Sequence, residues 1–372
     1  MIKMKIMHIV EGFGGGVYSF LVDLCNSLAS DNEVIIVYNK RKQTPSLFLD
    51  DFNNKIKMIN LPMKREINLF DDLKAIIKIN RLLRKEKPDV IHLHSSKAGV
   101  LGRISSKMCG YKSKQVFYNP HGYAFLQENI SIKKRRFYFF IEKIMAKIQG
   151  INIAVSKGEY EESLKLTKKS VRIDNAIDSN ELDKLIKDRS LNKTLTIGTI
   201  GRIMYQKNPI MFNKIAKEFP NIEFIWIGDG DLRDELTASN IKITGWKSRN
   251  EAIKLMNDID IYIQTSFWEG LPIALLEGMY MQKAVIVSNV IGNRDVIENG
   301  VNGFIANNLE EYKKYINALL DDEELFKKIS FGARKYVIKN HLLDHMLNKY
   351  KKLYNAAIKE DMSCEKLEDI FS

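Results

Sequence analysis

The chain has 372 residues and a formal net charge of +12, with 58 Lys and Arg against 46 Asp and Glu. That length suits two domains of roughly 100–200 residues each, and a 45% hydrophobic content supplies a full core and excludes intrinsic disorder. Residues 1–176 carry 31 basic and 17 acidic side chains (+14) and the rest 27 and 29 (−2), so a chain-wide nucleic-acid coat is disfavoured.

Strand-like runs fall at Ile6–Val10, Val34–Tyr38, Val90–Leu93, Gln115–Tyr118 and Ile151–Val155. A second series follows at Thr196–Ile200, Glu223–Ile227, Ile241–Ile243, Ile259–Gln264 and Ala284–Ser288. Amphipathic stretches such as Phe70–Glu86 and Ile210–Glu218 lie between them. This alternation, without Asn-Gly hairpin signals, predicts parallel α/β structure, and the polar segment 174–193 between the two series predicts two doubly wound domains. Cys25, Cys109 and Cys364 are widely spaced, which excludes a disulfide framework or cysteine zinc site and fits a reducing cytoplasm. The apolar run Ile6–Val10 is too short for a signal-peptide core, and Phe137–Ile141 is far below the ~20 residues of a membrane span.

Ligands of doubly wound sheets bind beyond the carboxyl ends of the strands, so chemistry is expected just after each strand run. Glu11-Gly12-Phe13-Gly14-Gly15-Gly16 follows the first strand and precedes the helical run Val17–Leu28. It is either a tight turn or a close backbone approach to an anion, although its spacing is not G-x-G-x-x-G. Asn119-Pro120-His121-Gly122 puts a histidine at a strand end, where it is structural or donates into a cleft. Gly201-Arg202-Ile203-Met204-Tyr205-Gln206-Lys207 carries two cations able to grip a diphosphate, or else forms a solvated basic loop. Gly228-Asp229-Gly230-Asp231 predicts a close backbone approach to a ligand or an ordinary turn.

Glu269-Gly270-Leu271-Pro272-Ile273-Ala274-Leu275-Leu276-Glu277 holds the strongest signal. Pro272 fits the first helical position, leaving free amides near Leu271–Ala274 as an anion site. Glu277 falls in the nearly uniform apolar helix Ile273–Met281, where a charge without a partner is costly, so a polar ligand is expected. Gly245-Trp246-Lys247 after the strand Ile241–Ile243 is placed to flank a base. Lys133-Lys134-Arg135-Arg136-Phe137 opens a helical run to Ile148, with Phe137, Phe140, Ile141, Ile144 and Ile148 on one face. That face is either core or, beside four cations, the boundary of an anionic bilayer.

Arg202 with Lys207, and Glu269 with Glu277 spaced as E-x7-E, resemble the retaining glycosyltransferases of family 4. His94-Ser95-Ser96-Lys97-Ala98-Gly99, Pro120-His121-Gly122 and Gly292 through Gly303 extend the resemblance along essentially the whole chain. It is nearest to bacterial enzymes that extend lipid-linked capsule or O-antigen units.

The resemblance implies the GT-B fold, two Rossmann-like doubly wound domains facing a central cleft. Residues 1–176 would bind the acceptor and 177–340 the nucleotide sugar, while 341–372 would supply a helix returning to the first domain and a tail. In such enzymes Arg202 and Lys207 would hold the donor diphosphate, Glu277 the ribose hydroxyls and Glu269 a donor-sugar hydroxyl. Gly201, Gly228, Gly230, Trp246, Leu271, Pro272 and Ile273 would line the donor site. Asp295 would join them, although Gly292-Asn293-Arg294-Asp295 departs from the usual Gly-Gly-x-x-Glu-like run. His121 would contact the donor sugar, with Gly14, Gly15, Gly16, His94, Ser95 and Lys97 facing the acceptor or cleft.

The implied reaction moves a sugar from a nucleoside diphosphate sugar, UDP-linked, to a lipid-linked saccharide with retention. It needs no cofactor or metal, since no D-x-D pair is placed to hold a cation against the diphosphate. The implied location is cytoplasmic, peripheral at the inner face of the membrane, with Lys133, Lys134, Arg135, Arg136 and Phe137 docking there and no specific nucleic-acid partner. A sugar-nucleotide epimerase or hydrolase of the same architecture, or a basic nucleic-acid-binding protein, is the competing reading.

Overall fold

The computed structural model describes residues 3–41, 44, 45, 47–64, 66–186 and 195–359; Cys364, the tail beyond 359 and residues 187–193 of the polar segment lie outside the described residues. The chain divides into two compact units, one comprising residues up to Asn175 together with those from Met346 onward, the other Ala176–His345.

The first unit runs β1 (Lys5–Phe13), α1 (Gly15–Leu28), β2 (Glu33–Lys40), β3 (Lys57–Asn60), α2 (Leu69–Glu86), β4 (Val90–His94), α3 (Ser95–Met108), β5 (Val116–Asn119), α4 (Ile132–Ile148), β6 (Ile151–Ala154), α5 (Lys157–Leu164) and β7 (Ser170–Arg172). All seven strands are parallel, in the order β3-β2-β1-β4-β5-β6-β7. Central strands of such a sheet are covered on both faces and run apolar without alternation, as Ile6, Met7, Ile9 and Val10 do. The strand order reverses between β1 and β4, with His8 opposite His92 and Val10 opposite His94. α3 lies so close to the sheet that a Cβ at Gly99 would collide with the Tyr118 ring and one at Gly102 with Leu93.

The second unit runs α6 (Ser179–Asp183), β8 (Ile197–Ile200), α7 (Pro209–Glu218), β9 (Phe224–Ile227), β10 (Ile241–Ile243), α8 (Arg249–Met256), β11 (Ile261–Gln264), α9 (Ile273–Tyr280), β12 (Ala284–Ser288), α10 (Asn293–Val296), β13 (Phe304–Ala306), α11 (Leu309–Asp321) and α12 (Glu323–Asn340). Its six parallel strands are ordered β10-β9-β8-β11-β12-β13, reversing between β8 and β11. The expected strand runs all appear, within three residues at their ends. β3, β7 and β13 are additional edge strands of three or four residues, too short for periodicity to announce.

The last helix, α13 (Leu343–Ile358), crosses the boundary between the units and, from Met346 on, packs on the first sheet, as expected of the final helix. Tyr354 Oη lies 2.6 Å from His92 Nδ1, and Tyr350 Oη donates to Asn119 Oδ1 at 3.2 Å. Asn119 also accepts from His92 Nε2 at 2.6 Å and donates to the Ile153 carbonyl at 2.9 Å. One buried amide therefore ties β4, β5, β6 and α13 together. Asn119→Ala should lower stability by about 3 kcal/mol, because it strands buried polar partners; a urea midpoint that falls at unchanged m-value checks this.

Candidate functional site

The second unit concentrates charged groups at its strand-order reversal, where the loops leaving β8 and β11 part. They are stitched to one another: Thr265 Oγ1 donates to the Lys207 carbonyl at 2.7 Å, Phe267 N to the Gln206 carbonyl at 2.8 Å, and Gln206 Nε2 to the Trp268 carbonyl at 2.9 Å. Across this seam Lys207 Nζ meets Glu269 Oε1 at 2.7 Å, with both side chains largely buried. The Lys207 stem lies over Gly201, where a Cβ would come within 3.2 Å of Lys207 Cε. Arg202, the next residue, pairs with the exposed Asp231, and its Nε is buried without a partner.

The glycines of the β9 loop answer to a protein neighbour. A Cβ at Gly228 (φ +138°) would strike the Gly201 carbonyl and one at Gly230 the Ile203 carbonyl, so the crowding expected from a ligand is created by the β8 loop. The Asp229-Gly230-Asp231 run has D-x-D spacing, but Asp231 is paired with Arg202 and Asp229 meets Arg233 at 3.0 Å. Trp246 follows β10 and is 55% exposed, on a loop tied to β9 by the Gly228 N–Thr244 Oγ1 bond of 3.1 Å.

Two expectations at α9 need correction. Pro272 is the N-cap rather than the first helical residue, with φ −72° and ψ 121°, and it leaves the leading amides of α9 without intrahelical acceptors. Glu277 is buried as expected but has a partner: Arg249 of α8 reaches its Oε1 through Nη2 at 3.1 Å and Nε at 3.3 Å. The α8–α9 pairing compensates the Glu277 charge, so its burial does not by itself call for a ligand. Leu271 and Ile273 are buried beside it. Gly292, at φ +83°, brings its backbone against Gly270 of the α9 entry loop, and Asp295 accepts from Gly292 N at 3.1 Å as the cap of α10.

The first unit holds the remaining expected residues at its own reversal, between β1 and β4. Gly14 caps α1, Gly15 takes φ +57°, and a Cβ at Gly15 or Gly16 would meet open space. His94 caps α3, Ser95 follows at φ +69°, and Lys97 is held by Asp72 Oδ1 at 2.5 Å and the Glu66 carbonyl at 2.9 Å. His121 sits at φ +52° on a turn fixed by Glu159, whose carboxylate accepts from Gly122 N at 2.6 Å and Val155 N at 2.8 Å. Burial pushes His121 and His8 down to about 3 and His92 and His94 well below the usual imidazole range, so all four rings are neutral at pH 7.

Sequence reading missed Arg249, Glu159 and His8. Ser156-Lys157-Gly158-Glu159 does carry the S-x-x-E spacing of a helix start, with Ser156 accepting from Glu159 N at 3.2 Å. Nothing local points to Arg249 or His8.

The arrangement agrees with what related proteins display. A family model described as Glycosyltransferase Family 4 matches residues 14–181, and one described as Glycosyl transferases group 1 matches 182–336. The chain is 30% identical, over 95% of its length and 97% of the relative's, to the UDP-Gal:alpha-D-GlcNAc-diphosphoundecaprenol alpha-1,3-galactosyltransferase of Escherichia coli. The chain belongs to glycosyltransferase family 4. A capsular polysaccharide biosynthesis glycosyltransferase, CapM of Staphylococcus aureus, is 25% identical to this enzyme over 84% of its length and 88% of CapM. The crystal structure of Anabaena HepE in complex with UDP and glucose matches at TM-score 0.77 and 17% identity, covering 95% of this chain and all of that one. The glycosyltransferase therefore has the GT-B fold, with two Rossmann-like parallel sheets.

In this enzyme Gly292→Ala forces a left-handed backbone onto alanine and drives a methyl into the α9 entry loop. It should lose about 1–3 kcal/mol of stability, read as a lowered thermal unfolding midpoint.

Proposed function

We propose that this glycosyltransferase moves a sugar from a UDP-sugar to a lipid-linked diphosphate saccharide, retaining anomeric configuration, in bacterial capsule or O-antigen synthesis. The observation that carries the reading is the seam at β8 and β11, where Lys207 meets Glu269, with Arg202 on the same β8 loop and the leading amides of α9 nearby in the chain. The UDP-galactosyl and diphosphoundecaprenol substrates named for the Escherichia coli relative support the donor and acceptor classes.

Breaking the glycosidic bond places negative charge on the departing diphosphate and positive charge on the sugar ring, so stabilising the leaving group is the main catalytic task. An incoming diphosphate takes the Lys207 ammonium and the Arg202 guanidinium, which leaves Glu269 to accept from a sugar hydroxyl. The C1–O bond to UDP breaks as the acceptor hydroxyl oxygen bonds C1 from the same face, and the acceptor proton passes to the departing phosphate oxygen. With the charge met by two cations and backbone amides, the step needs no metal.

The acceptor side rests on the first unit. The apolar face of α4 is not core: Phe137 and Phe140 are 52% and 60% exposed, Ile144 and Ile148 are exposed too, and Lys133, Lys134 and Arg136 stand beside them. Arg135 instead turns inward to the Phe125 carbonyl at 3.0 Å. α2 adds Leu69 and Phe70, both 81% exposed, with Leu73 and Ile77 a turn and two turns on, and both helices pack against α3. A basic rim around exposed aromatic and aliphatic side chains suits the boundary of an anionic bilayer. No helix among the described residues is long and apolar enough to cross a membrane.

Arg202→Ala and Lys207→Ala should each lower kcat/KM by about 10²–10³-fold, measured as UDP release that depends on an added lipid-linked acceptor. The unfolding midpoint should hold in Arg202→Ala and fall in Lys207→Ala, which leaves Glu269 buried without its cation. UDP release without acceptor, or full turnover in either variant, overturns the transfer reading. Lys133→Ala with Lys134→Ala should weaken sedimentation with phosphatidylglycerol vesicles about 30-fold, at ~1 kcal/mol per cation, and wild-type indifference to such vesicles at physiological salt refutes the membrane reading.

A further inference from the structure

Four of the six histidines of the chain gather at the carboxyl end of the first sheet. His8 Nδ1 lies 3.0 Å from His94 Nε2, and His94 Nδ1 lies 3.1 Å from His121 Nε2, so three rings form a single file from the sheet interior to the turn at Pro120-His121-Gly122. The rings of His8 and His94 stack at 5.3 Å and those of His94 and His121 at 5.4 Å. At the inner end His8 Nε2 is buried without a partner. At the outer end His121 Nδ1 has no protein partner and is not sealed from solvent.

We propose that His8 and His94 are positioning residues that lock His121 into the tautomer with its proton on Nδ1, presenting an N–H donor to an oxygen of the bound sugar. The inference rests on the reading of His121 as a donor-sugar contact. A file of neutral imidazoles, one proton each, can run in only two directions. If His121 donated inward from Nε2, His94 would donate to His8 Nδ1, and the last proton would sit on His8 Nε2, buried with nothing to receive it. Running outward, His8 Nδ1–H donates to His94 Nε2 and His94 Nδ1–H donates to His121 Nε2. The inner end is then a bare lone pair, and orphaned buried N–H groups are the rarer and worse case. The neutral state of all three rings follows from their burial.

His92 lies against the file, 4.1 Å from the His94 ring, but hydrogen-bonds elsewhere. The Asn119 amide nitrogen is committed to the Ile153 carbonyl, so Asn119 Oδ1 takes the His92 Nε2–H and His92 Nδ1 accepts from Tyr354 Oη. Ring nitrogens of His8, His92 and His94 lie within 4.8 Å of one another, a spacing that could hold a metal ion. Both His92 nitrogens are already used, however, and no carboxylate in the trio balances a dication, so hydrogen bonding accounts for the cluster better.

Two-dimensional ¹H–¹⁵N spectra of the full chain labelled at histidine should show His121, His94 and His8 each with a pyrrole-type Nδ1 and a pyridine-type Nε2. His8→Leu should turn the His121 signals to averaged values and lower kcat about tenfold, the loss expected of one oriented hydrogen bond, with a smaller change in donor KM. His8→Asn, whose amide can donate from the same place, should restore most of both. An Nε2-protonated or averaged His121 in the wild-type protein overturns the proposal. So do His8→Leu with unchanged spectra and kcat, and one equivalent of Zn²⁺ that moves the His8 and His94 signals together. Should His8→Leu not fold, the wild-type spectrum decides alone. If His121→Ala leaves kcat intact while the wild-type pattern holds, the placement of His121 at the donor is what fails.

Discussion

Where neighbouring parallel strands send their crossovers to opposite faces of a sheet, the loops at their carboxyl ends must part, and both units of this enzyme put their polar groups into that gap. In the second unit it lies between β8 and β11 and is bridged by the Lys207–Glu269 pair and the hydrogen bonds from Thr265, Gln206 and Phe267. In the first it lies between β1 and β4, where His8, His94 and His121 run outward in file. Strand order thus decides which loops can share chemistry, and side chains far apart in sequence become partners only through it.

Backbone crowding is the second constraint. The loops after β8 and β9 lie so close that Gly228 and Gly230 abut carbonyls of the neighbouring loop, and Gly292 does the same to the loop entering α9. The residues that carry charge, Arg202, Lys207 and Glu269, therefore project from a framework of tightly packed main chain. His121 is held at a positive φ by the Glu159 carboxylate, another case in which a strained residue is kept in place by its surroundings.

The basic excess of the first half resolves into local roles on the folded surface. Part of it is internal: Arg103 lies buried against Glu142 and over the Tyr118 ring, and Lys97 is consumed by Asp72. The remainder includes Lys133, Lys134 and Arg136, exposed beside apolar side chains of α4 that point away from the core. Those side chains follow a helical period that a core-facing stripe would share. Exposure is what separates the two.

The sequence by itself determined the alternation of strands and helices, the two sheets and the family, because apolar periodicity and motifs such as Arg202 to Lys207 and Glu269 to Glu277 are written in local spacing. It also located the loops that carry charge, since those follow strands directly. Only the tertiary structure decided the partners: Arg249 for Glu277, Glu159 for the His121 turn, His8 at the foot of the histidine file, and protein backbone against Gly228. Each of these pairs joins residues separated by 27 positions or more. Such contacts exist only once parallel strands have paired in one order and register, a constraint that no local stretch of residues contains.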